Sequence, residues 1–204
     1  MEILQDESVN VGEVHITPVF TGHVVSLTRE RFVFAGNDVV RDVVRHPGAV
    51  GVVALRSGQH GAEILLVRQY RHPVSAYLWE IPAGLRDVAD ESDEQCARRE
   101  LREETGYDAE SMTRLLTCVP SPGGCDEQIV IFVTQNPIAL DVVERTDEPE
   151  EQDMRAQWWP LADAVAAARD GRIRNLAAVA SILAAAIQVW DGELHPPQQI
   201  GLTP

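Results

Sequence analysis

The densest run of groups able to do chemistry lies between Gly84 and Tyr107, G84-L-R-D-V-A-D-E91-S-D-E-Q-C-A-R-R99-E100-L-R-E103-E104-T-G106-Y107. At about 100° per residue, Glu100 and Glu104 fall on one face of a helix. That face borders the apolar stripe of Ala97 and Leu101, so both carboxylates stand at the edge of a core and their like charges repel. A hard divalent cation held by oxygen ligands at i and i+4 relieves that repulsion, which suits Mg²⁺ or Mn²⁺. The competing reading is an acidic helix face that does no more than meet water. Arg99 and Glu103 lie on a different side, spaced for an i,i+4 ion pair that fixes the helix surface.

The elements that must hold these groups follow from the flanking residues. Ser92 with Gln95 is a capping box, Asp93 and Glu94 suit the positive end of the helix dipole, and Gly106 suits the position after the last turn, which predicts a helix from about Asp93 to Thr105. Upstream, AVGVVAL after His46-Pro47-Gly48 is a continuous apolar run suited to a strand covered on both faces. A loop at Ser57–Gly61 leads to the strand EILLVRQY, and a short strand from Tyr77 to Pro82 ends at Ala83-Gly84. Between Val14 and Val44, runs of β-branched and aromatic residues separated by Gly22 and by Gly36-Asn37-Asp38 predict a small antiparallel sheet. Further strands are expected at Thr113–Val119, Gln128–Thr134 and Ala156–Trp159. Helices are expected at Leu161–Arg169 and Asn175–Val189, the second with a stripe through Leu176, Val179, Ile182, Leu183 and Ala186. Trp79, Trp158 and Trp159 fall on strands, where a packing role is expected.

The segment R99-E-L-R-E-E-T-G-Y107 resembles, without a gap, the end of the Nudix box, G-x₅-E-x₇-R-E-U-x-E-E-x-G-U with U a bulky apolar residue. Six residues, not five, separate Gly84 from Glu91, while Glu91 to Arg99 has the expected seven. The extra residue is assigned to the loop, with Glu91 preferred to Asp90 as its acid. The resemblance implies an α+β fold: a Nudix α/β/α sandwich with a mixed sheet, plus the small N-terminal antiparallel β-sheet. It also implies that Glu100, Glu104 and the Ala83 backbone carbonyl hold the metal, with Glu103 nearby in a catalytic role.

Q69-Y-R71, L78-W-E-I-P-A-G84 and S121-P-G-G-C-D-E127 resemble the matching segments of ADP-ribose pyrophosphatases, and Pro122 falls where that subfamily has a proline. That likeness implies hydrolysis of ADP-ribose, or of a related nucleoside diphosphate sugar, to AMP and ribose 5-phosphate. The alternatives are a Nudix-type binding or regulatory module without turnover, or a hydrolase for another nucleotide sugar. Arg71 is expected to grip a phosphate, as a guanidinium with fixed donors does well. Arg41, Gly84, Leu85 and Glu127 are the other expected substrate contacts. The acidic loop D147-E-P-E150-E151-Q-D153 is expected to supply a base for the attacking water, Glu151 first and Glu150 second.

Bulk properties agree with this reading. The 204 residues carry 17 basic and 32 acidic side chains, a formal charge of −15 that repels nucleic acid and anionic membranes. Three cysteines without C-x-x-C spacing indicate neither a disulfide framework nor a zinc knuckle. The acidic start lacks the pattern of a signal peptide, so a cytoplasmic location is expected. The expected organisation is an N-terminal sheet region at 1–45, which the resemblance implies dimerises and contributes to the nucleotide site, a catalytic domain at 46–192, and an irregular tail at 193–204. The expected partners are a nucleotide sugar and a second copy of the chain, with no nucleic acid and no membrane.

Overall fold

The computed structural model describes residues 4–59, 61–141 and 153–191. They form two compact units: residues 4–47 with Ser121–Glu127, and residues 48–59, 61–120, 128–141 and 153–191.

The first unit is a three-stranded antiparallel sheet of β1 (His15–Thr21), β2 (Ser26–Phe34) and β3 (Asn37–Arg45), in that spatial order. β2 and β3 turn tightly, Phe34 pairing with Asn37. Ala35 and Gly36 at the bend have φ of 50° and 79°, the left-handed pair that a two-residue hairpin of the right twist requires. Asn37 and Asp38, expected in the turn, therefore open β3. The Ser121–Glu127 loop joins this unit through backbone bonds: the Val44 N–H donates to the Gly124 carbonyl at 2.8 Å and the Asp126 N–H to the Val44 carbonyl at 3.1 Å. Arg45 then bridges Asp126 and the buried Glu30.

The second unit is built on β4 (Ala49–Gly58), whose first seven residues are buried. Its start pairs with β7 (Ala83–Leu85) and its end with β5 (Gly61–Arg71), whose far half is joined by β6 (Ala76–Glu80). The expected Ser57–Gly61 loop is shorter than predicted, because β4 runs on to Gly58 and β5 begins at Gly61. After α1 (Asp93–Thr105) come β8 (Tyr107–Asp108), β9 (Thr113–Cys118) and β10 (Ile129–Gln135). Next are β11 (Ile138–Ala139), β12 (Arg155–Pro160), α2 (Leu161–Arg169) and α3 (Leu176–Trp190). The main sheet runs β12-β5-β4-β10-β9, with β10 parallel to β4 and its other neighbours antiparallel.

Alternation along the strands divides the core between the two faces of this sheet. Val50, Val52, Ala54, Leu65, Val130 and Phe132 pack against Cys96, Ala97 and Leu101 of α1. Val53, Leu55, Ile64, Leu66, Ile131 and Val133 pack under α2 and α3. The result is a mixed sheet between helices, as expected. The stripe read on α3 is corrected: Leu176 and Leu183 are exposed, and the buried face is Ala178, Ser181, Ile182, Ala185 and Ala186. This helix is apolar almost all round, so large side chains do not mark its inner face, and small ones let it approach the sheet. The Trp79 and Trp159 rings meet edge to face at 5.4 Å, and Trp158 donates to the Tyr107 hydroxyl at 2.9 Å. Both contacts are packing roles. Among the described residues, no helix is long and apolar enough to cross a membrane.

The end of α1 is tied to β8 by Asp108, which accepts from Arg98 at 2.6 and 2.9 Å, from Arg102 at 2.8 Å and from the Ala109 N–H at 2.7 Å. These donors, Arg98 above all, hold its carboxyl well below the usual range. A depressed pKa contributes stability above the ordinary aspartate range and loses it as pH falls through the folded value. Asp108→Asn is therefore expected to lower the unfolding free energy near pH 7 by about 1–2 kcal/mol, given that both arginines are partly in water. Urea melts at pH 7 and pH 3 check this: the gap between variant and parent must shrink at pH 3.

Candidate active site

The site is assembled by α1 lying across β7. The Ser92 side chain accepts from the Gln95 N–H while the Gln95 side chain accepts from the Ser92 N–H, and Gly106 closes the helix at φ 71°. Because both ends are fixed, the register of Glu100 and Glu104 is fixed with them. Cys96, Ala97 and Leu101 bury one side of the helix, and Cys96 donates to the Leu85 carbonyl at 3.3 Å. The two acids at the edge of that buried side then meet the Ala83-Gly84 backbone.

Gly84 is required by this approach. A Cβ there would stand 2.0 Å from the Glu100 carboxyl carbon and 2.2 and 2.3 Å from its oxygens. Beside it, the Ala83 N–H donates to Glu104 Oε2 at 2.9 Å. Glu100 is only 9% exposed, and burial pushes its carboxyl up to about 7 despite the opposing pull of Arg99, with Glu103 and Asp87 adding to the rise.

Arg99 supplies the compensating charge, and its role is wider than the expected i,i+4 pair. Its Nη1 lies 2.6 Å from Glu100 and 3.3 Å from Glu103, while Nε and Nη2 lie 3.1 and 3.0 Å from Glu91. Asp87 is 3.6 Å away. The arginine thus bridges acids of the helix and of the loop before it. Hydrogen bonding to Arg99 holds the Glu91 carboxyl below its usual range. Asp90, the other acid considered for this loop, sits in the turn at φ 64°.

Ala83, Gly84, Leu85, Glu100, Glu103 and Glu104 are thus brought together in the second unit. Arg71 is in the same unit, at the end of β5, where Nε and Nη2 hold Glu80 at 3.0 and 2.7 Å. Glu80 was not singled out in the sequence, although an acid inside the apolar run L-W-E-I-P was a signal. Arg41 and Glu127 belong to the first unit. Arg41 is exposed and donates to the Val40 carbonyl at 2.8 Å, and Glu127 lies 3.8 Å from His46. Glu150 and Glu151 lie outside the described residues.

The donors beside Gly84 fit a hard divalent cation in kind, being two carboxylates, one of them buried, at a backbone made accessible by glycine. Among the described residues, no three Asp, Glu, His or Cys side chains are already gathered as a ligand cluster. Arg99 and the Ala83 N–H hold the acids instead.

A mixed sheet between helices, with a capped acidic helix set against a glycine-ended strand, defines a class, and the family comparison agrees with it. The NUDIX domain model matches residues 45–179, and the chain belongs to that family. The ADP-ribose pyrophosphatase of Mycobacterium tuberculosis is 39% identical over 166 residues, 80% of this chain and 77% of the relative. An ADP-ribose pyrophosphatase of Bacillus subtilis is 36% identical, covering 65% of this chain and 70% of its own length. The crystal structure of an ADP compounds hydrolase superposes with a TM-score of 0.74 at 21% identity, covering 92% of this chain and 98% of the other, a likeness of fold.

Gly84→Ala puts a methyl group into the Glu100 carboxylate, so it is expected to displace that side chain. Calorimetric titration with Mn²⁺ should show affinity reduced by about 10-fold or more, in the range seen when a support of a metal ligand is lost. Unchanged affinity in a folded Gly84→Ala protein contradicts the close approach.

Proposed function

We propose that the protein hydrolyses the pyrophosphate bond of ADP-ribose, or of a related nucleoside diphosphate sugar, giving AMP and ribose 5-phosphate with Mg²⁺ as the metal and Mn²⁺ as a substitute. The observation that carries this reading is the Glu100 carboxylate buried against Gly84, with Glu104 beside it at Ala83. The relatives named above supply the substrate class. A bound divalent cation would neutralise pyrophosphate oxygens and lower the pKa of a water.

The chain's own groups do the rest. Glu100 and Glu104 hold the ion, assisted by the Ala83 carbonyl, while Arg99 keeps Glu91, Glu100 and Glu103 in register and Glu103 acts beside them. Arg71 binds a substrate phosphate through its guanidinium. Gly84 and Leu85 offer backbone to the substrate, and Arg41 and Glu127 act at its nucleotide end. Glu151, or Glu150 in its place, takes the proton of the attacking water. The working enzyme is a cytoplasmic homodimer whose 1–45 region forms the subunit contact and contributes to the nucleotide site, with the 46–192 domain carrying the chemistry. In favour of that contact, Ile16, Val19, Phe20, Val33 and Phe34 of the N-terminal sheet are all at least half exposed.

Purified protein with Mg²⁺ is expected to turn over ADP-ribose with the highest kcat/KM in a panel of nucleotide sugars, dinucleotides and nucleoside triphosphates. Glu104→Gln is expected to lower kcat on the order of 100-fold, as losing one preorganised charge-handling group does. A triphosphate as the best substrate would sink the substrate assignment, and full activity in Glu104→Gln would sink the assigned chemistry.

A further inference from the structure

Glu80 is the least explained charge in the second unit. It is 4% exposed, it lies in an apolar strand, and it is followed directly by Ile81, Pro82 and the Ala83-Gly84 backbone of the site. Its partner Arg71 is not its neighbour across the sheet. In the β5–β6 ladder Glu80 stands opposite Val67, and Arg71 stands opposite Ala76 at the other end. Residues 67, 69 and 71 share one face of the strand, so the Arg71 side chain runs back along that face to reach Glu80. A bond meant only to hold β5 to β6 needs no such reach, since the ladder already pairs Val67 through Arg71 with Ala76 through Glu80.

The geometry of the contact has a direction. Glu80 engages Nε and Nη2 at 3.0 and 2.7 Å, a two-point grip that fixes the plane of the guanidinium as well as its location. The carboxylate end is buried, with its side chain 5% exposed, while the arginine side chain keeps 40% exposure. One end of the pair is therefore anchored in the sheet and the other is presented at the surface. Burying a carboxylate is unfavourable unless it is fully paired, so a buried acid spent on an exposed arginine calls for a function.

We propose that Glu80 is a positioning residue for the reaction. It draws the Arg71 guanidinium from the hairpin end of β5 toward the strand that leads into Ala83-Gly84, and holds it in the plane that meets a substrate phosphate. The inference rests on the hydrolase reading above and adds a residue to it. It also explains why the gripping cation is an arginine: a lysine ammonium has no second donor edge to be held by one partner while it serves another.

A double-mutant cycle at positions 71 and 80, with ADP-ribose and Mg²⁺, tests the proposal. Glu80→Gln keeps the shape and loses the charge, and is expected to lower kcat/KM about 10- to 100-fold, the penalty of a misplaced substrate-binding group. Glu80→Asp keeps the charge with a shorter reach and is expected to fall between Glu80→Gln and the parent. It serves as the second variant if Glu80→Gln folds poorly. In an Arg71→Ala background, adding Glu80→Gln is expected to change kcat/KM by less than about 2-fold, because nothing is left to position. Mn²⁺ affinity of the substrate-free Glu80→Gln protein is expected to match the parent, which separates positioning from general damage near Ala83. Additive losses in the cycle, or parental kcat/KM in a folded Glu80→Gln protein, overturn the proposal and leave the hydrolase reading intact. A parent protein inert toward every nucleotide sugar overturns both.

Discussion

The site depends on one unfavourable placement, a carboxylate at the edge of an apolar core. Glu100 can be there only because Gly84 has no side chain and because Cys96, Ala97 and Leu101 pull the same helix onto the sheet. The core contacts are apolar and fall as α1 turns, so they determine the face that must carry the acids. The capping box and Gly106 then determine where along the helix axis those acids lie. If either set of constraints is relaxed, Glu100 turns toward water, where a carboxylate is better solvated. Helix packing and chemistry are therefore one structural problem in this chain.

The charge balance around that placement has a readable magnitude. A carboxyl moved from its ordinary range to about 7 reflects an environment favouring the neutral form by about 3 kcal/mol. Arg99 stands only 2.6 Å away and does not reverse this, since burial is the larger effect, and the same guanidinium also serves Glu91 and Glu103. One positive charge is spread over several acids. The gathering of Glu91, Glu100 and Glu103 around one guanidinium is a more specific argument for a divalent ion than the acidic composition, which a solubilising surface would explain as well. It also gives the loop acid Glu91 a purpose within the chain: by taking Nε and Nη2 it orients Nη1 toward the helix.

Local patterns carried much of the architecture into the sequence. The limits of α1 and α2, the covered strand β4 and the acids against the glycine-ended strand could be read directly, because caps, periodicity and glycine act over a few residues. Features set by distant partners could not. The inner face of α3 is chosen by what it packs against, and alanines do not announce themselves as core. Among the described residues, the two-residue strands β8 and β11 pair with each other alone, and they have no period to detect. The turn at Ala35-Gly36 shifted by a residue because a non-glycine takes a left-handed conformation that Asn37 or Asp38 would suit better. The pairing of Glu80 with Arg71 is hidden for a related reason, since the two are not ladder neighbours and no spacing rule connects them.

The Ser121–Glu127 segment carries this contrast further. In the chain it links β9 to β10, which pair in the main sheet, yet it belongs to the unit formed by β1 to β3. Its attachment is a pair of backbone bonds at Val44, reinforced by Arg45 on Asp126 and by Asp126 accepting from the His46 N–H at 2.8 Å. These partners are about 80 residues apart, so the order they impose is bought with a long loop closure whose entropy grows only slowly with length. A glycine- and proline-rich loop would otherwise be free to wander, whereas here Arg45, itself tied to the buried Glu30, makes its conformation a property of the N-terminal sheet. A change in that sheet therefore reaches Glu127 through Asp126.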